Sequence, residues 1–165
     1  MVVVREFRPG DEAAFHDINI EWIERYFVVE QKDRDVLDDP GKYVLDPGGA
    51  ILIAEDDGAA IGVVSLVLMG EGSVELAKMG VRPAAQGKGA GRLLVEAAIE
   101  KARAMGMSRV YIETNSKLGP ALKLYQDAGF QPLEERQPSP YARADVQLEL
   151  FLQGPRSTTP GTHGA

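Results

Sequence analysis

Residues 81–92 read VRPAAQGKGAGR, with glycine at three alternate positions. The segment before this loop has the pattern of a strand, and the segment after it carries apolar residues at helical spacing. Glycines in such a place let backbone N–H groups turn toward an anion, and a helix N-terminus adds about half a positive charge. The stretch therefore predicts a phosphate-binding loop.

Two nucleotide-binding motifs that use such a loop fail on spacing. A dinucleotide fingerprint that starts at Gly89 requires glycine or alanine at position 94, where this chain has Leu94. A Walker A loop that ends at Gly87-Lys88 requires Ser or Thr next and a glycine five residues before Gly87, and Gly89 and Arg82 occupy those positions.

Hydrophobic patterning around the loop predicts a mixed α+β sheet. Strands are predicted at residues 2–7, 50–54, 61–69, 73–81, 109–113 and 145–152, and helices at residues 11–27, from 87–91 to about 105, and at 118–128. Between residues 28 and 49 the chain is expected to be mostly loop, with two Asp-Pro-Gly breakers and a short second helix before the first of them.

The composition is that of one globular domain, since 44% of the 165 residues are hydrophobic and 26% are charged. The absence of cysteine excludes disulfide bonds, a thiol nucleophile and thiolate zinc sites. The longest apolar stretch, residues 61–69, is too short to span a membrane, and the N-terminus lacks the order of a signal peptide. We therefore expect a cytoplasmic protein with no membrane partner.

Charge is unevenly distributed along the chain. The net charge of −7 argues against a nucleic-acid partner. Residues 1–58 hold 15 acidic and 6 basic residues, net −9, whereas residues 78–123 hold 9 basic and 3 acidic residues, net +6. This division indicates two ligands of opposite charge, unless solvated helix faces merely differ in sign.

The pattern Gln86-x-x-Gly89-x-Gly91, between a strand and a helix, resembles the GNAT acetyltransferase superfamily. The resemblance covers the strand ELAKMGV (75–81) and the later segment ETNSKLGPALKLYQDAGF (113–130). It implies a single-domain α+β fold with a GNAT-like mixed, mainly antiparallel central sheet flanked by helices. The acetyltransferase domain would cover residues 1–152, and residues 153–165 would form a polar, disordered tail.

The resemblance also implies acetyl-CoA as cosubstrate and assigns residues to its binding. The strand backbone would hold the pantetheine arm, and the loop would hold the pyrophosphate. Asn115 would contact the pantetheine amides or the acceptor, although a turn or helix-capping role explains it as well. The cofactor-binding residues are Met79, Gly80, Val81, Gln86, Gly87, Lys88, Gly89, Ala90, Gly91, Arg92 and Asn115, with Arg82 a further cation near the loop.

Two catalytic residues follow from the same resemblance. Tyr125, four residues before Gly129, matches the tyrosine that protonates the departing sulfur, and packing among neighbouring leucines is the alternative. Glu75 lies six residues before Val81, where some members keep a glutamate that removes the amine proton. With two-residue alternation it would share a face with Ala77, Met79 and Val81, and a desolvated cleft there would raise its pKa. An exposed strand glutamate is the competing interpretation.

The acceptor is expected to be a primary amine of a small molecule, such as an amine, a polyamine or an amino-acid-like compound. Trp22, Tyr26 and Glu30 lie in the acidic first third, where aromatic and acidic walls suit an organic cation, although these aromatic residues also fit core packing. Arg143 could bind an acceptor carboxylate, and a surface salt bridge explains it equally well.

Other functional classes stay open or are not indicated. A noncatalytic CoA-binding or regulatory domain and a protein or peptide N-acetyltransferase are the alternatives to a small-molecule enzyme. A homodimer is compatible with the superfamily. No metal site is predicted, because the two histidines lack ligand spacing.

Overall fold

The computed structural model describes residues 1–153, so residues 154–165 of the predicted tail lie outside the described residues. The strands are β1 (Val2–Glu6), β2 (Ala50–Asp56), β3 (Ala59–Gly70), β4 (Ser73–Val81), β5 (Arg109–Thr114), β6 (Gln131–Pro132) and β7 (Val146–Phe151). The α-helices are α1 (Glu12–Tyr26), α2 (Gln31–Asp38), α3 (Ala90–Ala104) and α4 (Gly119–Asp127).

The strands form one sheet in the order β1-β2-β3-β4-β5-β7-β6. Neighbouring strands are antiparallel, except that β4 and β5 run parallel. Helix α1 packs on β3 and β4, and α3 packs on β2 and β3. The predicted α+β architecture, with a mixed and mainly antiparallel sheet flanked by helices, is confirmed.

The centre of the sheet is buried on both faces. Successive side chains of β2 and β3 point to opposite faces, and both sets are apolar because helices cover both sides. One core cluster contains residues of α1 together with Ile51, Ile53 and Val63, and the other contains residues of α3 together with Leu52, Val64 and Leu66.

The parallel strands β4 and β5 separate after three residue pairs. Their ladder joins residues 73–75 to residues 109–111, whereas β4 continues to Val81 and β5 to Thr114. Within the described residues, the facing edges beyond Glu75 form no ladder with each other. Their backbone N–H and C=O groups can therefore bind an extended ligand, as a sheet edge binds another strand.

A β-bulge lies in β4 beside this opening. Ser65 of β3 pairs with Ala77, but Val63 pairs with Gly80, so β4 has one residue more than β3 between these pairs. Lys78 lies in the bulge with a φ of +53°, a conformation that non-glycine residues rarely adopt. The extra residue changes which way the following side chains point.

The bulge corrects one expectation about β4. Met79 and Val81 pack against the core cluster on the α3 face, whereas Glu75 and Ala77 line a cavity beside residues of α1. The expectation that Glu75 shares a face with Met79 and Val81 is therefore wrong, because regular two-residue alternation holds only up to the bulge.

The segment between α1 and β2 is more ordered than expected. Helix α2 confirms the short second helix, but residues 41–45, expected as loop, form a π-helical turn. The Asp39 carboxylate accepts a hydrogen bond from the Lys42 N–H and so stabilises the start of this turn, and Val44 is fully buried. None of the helices in residues 1–153 combines the length and apolar character needed to cross a membrane.

Candidate active site

A cavity of about 520 Å³ lies between β4, the glycine loop and the start of α4. We call it the glycine-loop cavity. Most predicted cofactor residues line it, namely residues 79–81, Gln86, Gly87 and residues 89–92. Ala121 and Leu124 of α4 form part of the opposite wall. The cavity thus joins the open edge of β4 to the predicted phosphate-binding loop.

The glycine loop adopts a backbone that requires glycine at two positions. Gly87 has a φ of +89° and Gly89 a φ of +82°, and Gly89 occupies the cap position before α3. A Cβ atom at either residue would meet no heavy atom within 4 Å, so backbone conformation rather than packing explains these glycines. The loop leads directly into the N-terminus of α3, where unpaired N–H groups favour an anion.

The cationic side chains near this loop point in different directions. Arg92 lines the glycine-loop cavity while its Nε donates to Glu96 at 2.9 Å. Lys88 does not line the cavity, because its ammonium pairs at 2.9 Å with Asp56 at the end of β2. The Arg82 guanidinium donates to the Ala60 carbonyl at 3.1 Å. Of these three predicted cations, Arg92 alone reaches the cavity.

A smaller cavity, of about 60 Å³, lies where β4 and β5 separate. We call it the carboxylate cavity because Glu75 and Glu113 line it. Trp22 and Leu118 line both this cavity and the glycine-loop cavity. The two cavities therefore adjoin each other across these two side chains.

Glu75 lines the carboxylate cavity on β4. Its side chain is half-buried and forms no hydrogen bond or ion pair with any other of residues 1–153. Burial, and then the Glu113 carboxylate, raise the pKa of Glu75 to about 7 against the opposing effect of the Lys78 ammonium. A carboxylate with this pKa can take up a proton near neutral pH.

Glu113 is held in place by two hydroxyl groups. The Tyr111 hydroxyl donates to one carboxylate oxygen at 2.7 Å, and the Ser139 hydroxyl donates to the other. The parallel ladder places Glu75 opposite Tyr111, two residues before Glu113 on β5, so both glutamates lie on one face of the sheet. Glu113 was not predicted from the sequence, because the register of β4 against β5 cannot be read from either strand.

Two cations in the wall of the carboxylate cavity, Lys78 and Arg143, belong to a buried ionic network. Asp33 of α2 is fully buried and accepts two hydrogen bonds from Arg143, at 2.6 and 2.8 Å, and one from Lys78 at 2.8 Å. Burial opposes ionisation of Asp33, but these donors outweigh burial and lower its pKa to about 2. Lys78 also donates to the Tyr141 hydroxyl at 3.0 Å, and Arg143 also contacts Glu30 at 3.5 Å.

This network changes the predicted roles of Glu30 and Arg143. Both terminal nitrogens of Arg143 are bonded to Asp33, so the salt-bridge interpretation describes this guanidinium better than a carboxylate-binding role. Glu30 is half-buried, and its side chain caps α2 by accepting a hydrogen bond from the Asp33 backbone N–H. The acidic side chains that line the carboxylate cavity therefore come from β4 and β5 and not from the acidic first third of the chain.

The other predicted residues occupy mixed positions. Asn115 lines the carboxylate cavity, but its amide donates to the Arg143 carbonyl at 2.6 Å and its oxygen accepts from the Lys117 N–H at 2.8 Å, as in a turn. Tyr26 is 43% exposed and lines the glycine-loop cavity. Lys117 also lines that cavity and is a cation that the sequence analysis missed.

Tyr125 lies in the core beside the glycine-loop cavity. It is 5% exposed, and its ring packs edge-on against Phe130 with centroids 6.0 Å apart. The hydroxyl makes no hydrogen bond to any group of residues 1–153, and burial raises its pKa. Tyr125 lines neither cavity, although Leu124 next to it lines the glycine-loop cavity. A buried phenol without a protein partner can donate its proton to a ligand.

The family model for acetyltransferases of the GNAT family matches residues 15–130. The chain belongs to the GNAT acetyltransferase family. The match includes every residue that lines the glycine-loop cavity, most of α1, and both Glu75 and Tyr125, whereas Tyr141, Arg143 and Ala144 of the carboxylate cavity lie beyond it. Within residues 1–153 no group of three or more potential metal ligands occurs.

Sequence relatives of this GNAT chain carry acetyltransferase names. An uncharacterized N-acetyltransferase of Escherichia coli (strain K12) is 37% identical over 101 residues, which are 59% of this chain and 60% of that protein. One of Schizosaccharomyces pombe is 33% identical over 121 residues, 72% of this chain and 71% of that protein. A mycothiol acetyltransferase of Beutenbergia cavernae is 34% identical over 94 residues, 56% of this chain and 32% of that protein.

Solved structures share the fold of this GNAT chain at low sequence identity. An acetyltransferase of the GNAT family from Staphylococcus aureus Mu50 superposes with a TM-score of 0.83 at 16% identity. The superposition covers 93% of this chain and 100% of the Staphylococcus aureus chain. The protein yncA of Salmonella typhimurium, solved with its cofactor acetyl-CoA, has a TM-score of 0.70 at 21% identity and covers 98% of each chain.

Proposed function

We propose that this GNAT protein transfers an acetyl group from acetyl-CoA directly to a primary amine of a small molecule. The observation that carries the proposal is the position of Glu75, a carboxylate with a pKa raised to about 7, in a cavity that adjoins the glycine-loop cavity. The N-acetyltransferase names of the relatives support the reaction class.

The glycine-loop cavity fits acetyl-CoA. The N–H groups of residues 87–92 and the N-terminus of α3 would bind the pyrophosphate, with Arg92 and Lys117 as the cations that line the cavity. The open edge of β4 at residues 79–81 would hydrogen-bond the pantetheine amides. When bound, acetyl-CoA supplies a thioester carbonyl, which an amine can attack.

Two side chains would move the protons of the reaction. Glu75 takes a proton from the acceptor amine, whose nitrogen bonds to the thioester carbonyl carbon as the carbon–sulfur bond breaks. Tyr125, which lies buried beside the glycine-loop cavity without lining it, would give its phenol proton to the departing sulfur once the bound thioester reaches the hydroxyl. Its raised pKa keeps the phenol protonated at neutral pH, and its buried hydroxyl lacks a partner among residues 1–153. With no cysteine in the chain, direct attack by the amine is favoured over a cysteine-linked acyl intermediate.

The carboxylate cavity favours an amine acceptor over an anionic one. Glu75 and Glu113 face it, whereas the cations in its wall, Lys78 and Arg143, are already paired with the buried Asp33. The mycothiol acetyltransferase among the relatives favours a small-molecule acceptor over a protein. A cytoplasmic location and homodimerisation stay predictions.

The experiment is thiol release from acetyl-CoA across a panel of amines, polyamines, amino acids and short peptides. The expected result is turnover with at least one small amine, lowered by about 10²-fold or more in the Glu75→Gln variant. Turnover with peptides alone would replace the small-molecule acceptor by a protein one. Tight acetyl-CoA binding without turnover on any acceptor would favour the noncatalytic, regulatory alternative.

A further inference from the structure

The indole of Trp22 is held in place by a hydrogen bond to a buried side chain. Its Nε1–H donates to the side-chain oxygen of Asn19 at 2.8 Å, and the Asn19 amide donates in turn to the Phe15 carbonyl at 2.9 Å. Asn19 is fully buried, so this arrangement is shielded from water. Phe27 packs edge-on against the indole, with centroids 6.5 Å apart. Trp22 therefore has one well-defined orientation.

The same indole lies directly on the backbone of β4. A Cβ atom at position 80 would lie 2.4 Å from Cδ1 and 2.9 Å from Nε1 of Trp22, closer than non-bonded atoms approach. Gly80 is not in a left-handed conformation, so this close approach is the reason for glycine here. Gly80 belongs to the free edge proposed to bind the pantetheine arm, so Trp22 lies beside the end of that arm.

Trp22 also lies between the two cavities. Trp22 and Leu118 both line the glycine-loop cavity and the carboxylate cavity. A group that is transferred from a thioester in the first cavity to an amine in the second must pass these two side chains. The carboxylate cavity itself holds about 60 Å³, so an acyl chain that extends past Trp22 has little space there, whereas an acceptor can also reach Glu75 and Glu113 from a larger cavity of about 860 Å³ that both glutamates line.

We propose that Trp22 is the residue that restricts the transferred acyl group to acetyl. The inference rests on the proposed function and adds acyl-chain length to it. A fixed aromatic wall cannot move aside for an added methylene without losing the Asn19 hydrogen bond and its contact with Gly80, and closely packed interiors resist such displacement. Asn19 acts through Trp22 as a positioning residue.

The test measures dissociation constants of acetyl-, propionyl- and butyryl-CoA by calorimetry, which requires no acceptor. One unaccommodated methylene typically costs about 10-fold or more in selectivity, so the parent protein should bind propionyl-CoA about 10-fold more weakly than acetyl-CoA. In Trp22→Ala the two constants should agree within about 3-fold. Trp22→Phe, which keeps an aromatic ring but loses the Asn19 hydrogen bond, should fall between them.

Tyr26→Ala is the matched control. Tyr26 is an aromatic residue one turn further along α1 that lines the glycine-loop cavity but not the carboxylate cavity. This variant should change the affinity for all three thioesters by a similar factor and keep their ratio. Where an acceptor is known, the same ratios should appear in kcat/KM for acetyl and propionyl transfer.

Each outcome decides the inference. Equal affinity of the parent for the three thioesters, or a parent-like ratio in Trp22→Ala, would overturn it while leaving acetyl transfer intact. If Trp22→Ala does not fold, as judged by its thermal unfolding, the parent ratio and that of Trp22→Phe decide. A parent protein that binds no acetyl-CoA would overturn the proposed function and this inference with it.

Discussion

The substitution Glu75→Gln should raise the stability of the protein at alkaline pH while it removes activity. Burial and the neighbouring Glu113 raise the pKa of Glu75 from 4.5 to about 7, so the fold holds this carboxyl more favourably when it is protonated. Ionised Glu75 is therefore a cost to the folded state that a neutral glutamine does not carry.

The size and pH range of this effect follow from the pKa shift. Because the folded state binds the proton more tightly than the unfolded chain, the free energy of unfolding of the parent falls as pH rises from about 4.5 to about 7 and is constant above. A shift of about 2.5 units corresponds to roughly 3 kcal/mol, which is an upper limit because water reaches part of the side chain. Glu75→Gln should thus equal the parent near pH 4.5 and exceed it by up to about 3 kcal/mol at pH 8.

Two assays check this prediction on the same variant. Urea unfolding at pH 4.5 and pH 8 gives the difference in the free energy of unfolding. Thiol release as a function of pH gives kcat/KM, which in the parent should rise about 10-fold per pH unit below 7 and level off above. In Glu75→Gln it should be lower by about 10²-fold or more and lack the ascending limb.

Glu113→Gln is the matched control for this experiment. Removing the Glu113 charge takes away a cause that raises the pKa of Glu75, so the ascending limb should move to lower pH without disappearing. A Glu75→Gln variant that is less stable than the parent at pH 8, or that keeps the ascending limb, would refute the reasoning about Glu75.

Three further substitutions test other parts of the site. Tyr125→Phe should lower kcat by about 10²-fold or more, and a variant with full turnover would end the general-acid role. Because the Tyr125 hydroxyl forms no hydrogen bond with any of residues 1–153, urea unfolding should show a stability change below about 1 kcal/mol. Asp33→Asn should lower the free energy of unfolding by about 3–5 kcal/mol at pH 7, because it leaves the buried Lys78 ammonium without an ionic partner and Arg143 with only its longer contact to Glu30. The parent should lose this stabilisation as pH falls from about 4 to about 2, whereas the variant should not show that loss in urea titrations. Gly89→Ala should cost about 1–2 kcal/mol through its φ of +82° and weaken acetyl-CoA binding measured by calorimetry, and unaltered affinity would argue against the loop as pyrophosphate site.

Much of the fold was predictable because its signals are local. Strand β4 occupies the predicted residues 73–81, and α3 begins at Ala90 within the predicted start. The glycine loop was identified from spacing alone, since positive φ at Gly87 and Gly89 demands a residue type that the sequence displays. The two-residue strand β6 was not predicted, because two residues carry no periodicity.

The candidate site depended on contacts between distant segments. Lys88 looked as suitable as Arg92 for binding an anion, yet it pairs with Asp56, which lies 32 residues earlier in the chain. Asp33 lies in the acidic first third of the chain, and the structure buries it between Lys78 and Arg143. A local sequence pattern does not predict such ion pairs, because two side chains of the same charge in one segment can contact different partners in the folded protein.

The sequence by itself determined the family, the sheet and the phosphate-binding loop, because glycine positions and hydrophobic periodicity are properties of single segments. Only the tertiary structure decided how the site is arranged around β4. The bulge at Lys78 turns Met79 and Val81 to one face and leaves Glu75 on the other, and it arises from pairing with β3. The parallel register then brings Glu113 near Glu75, since Ser73–Glu75 pair with residues that lie 36 positions later in the chain. That proximity, with burial, is what raises the pKa of Glu75 into the range of a base.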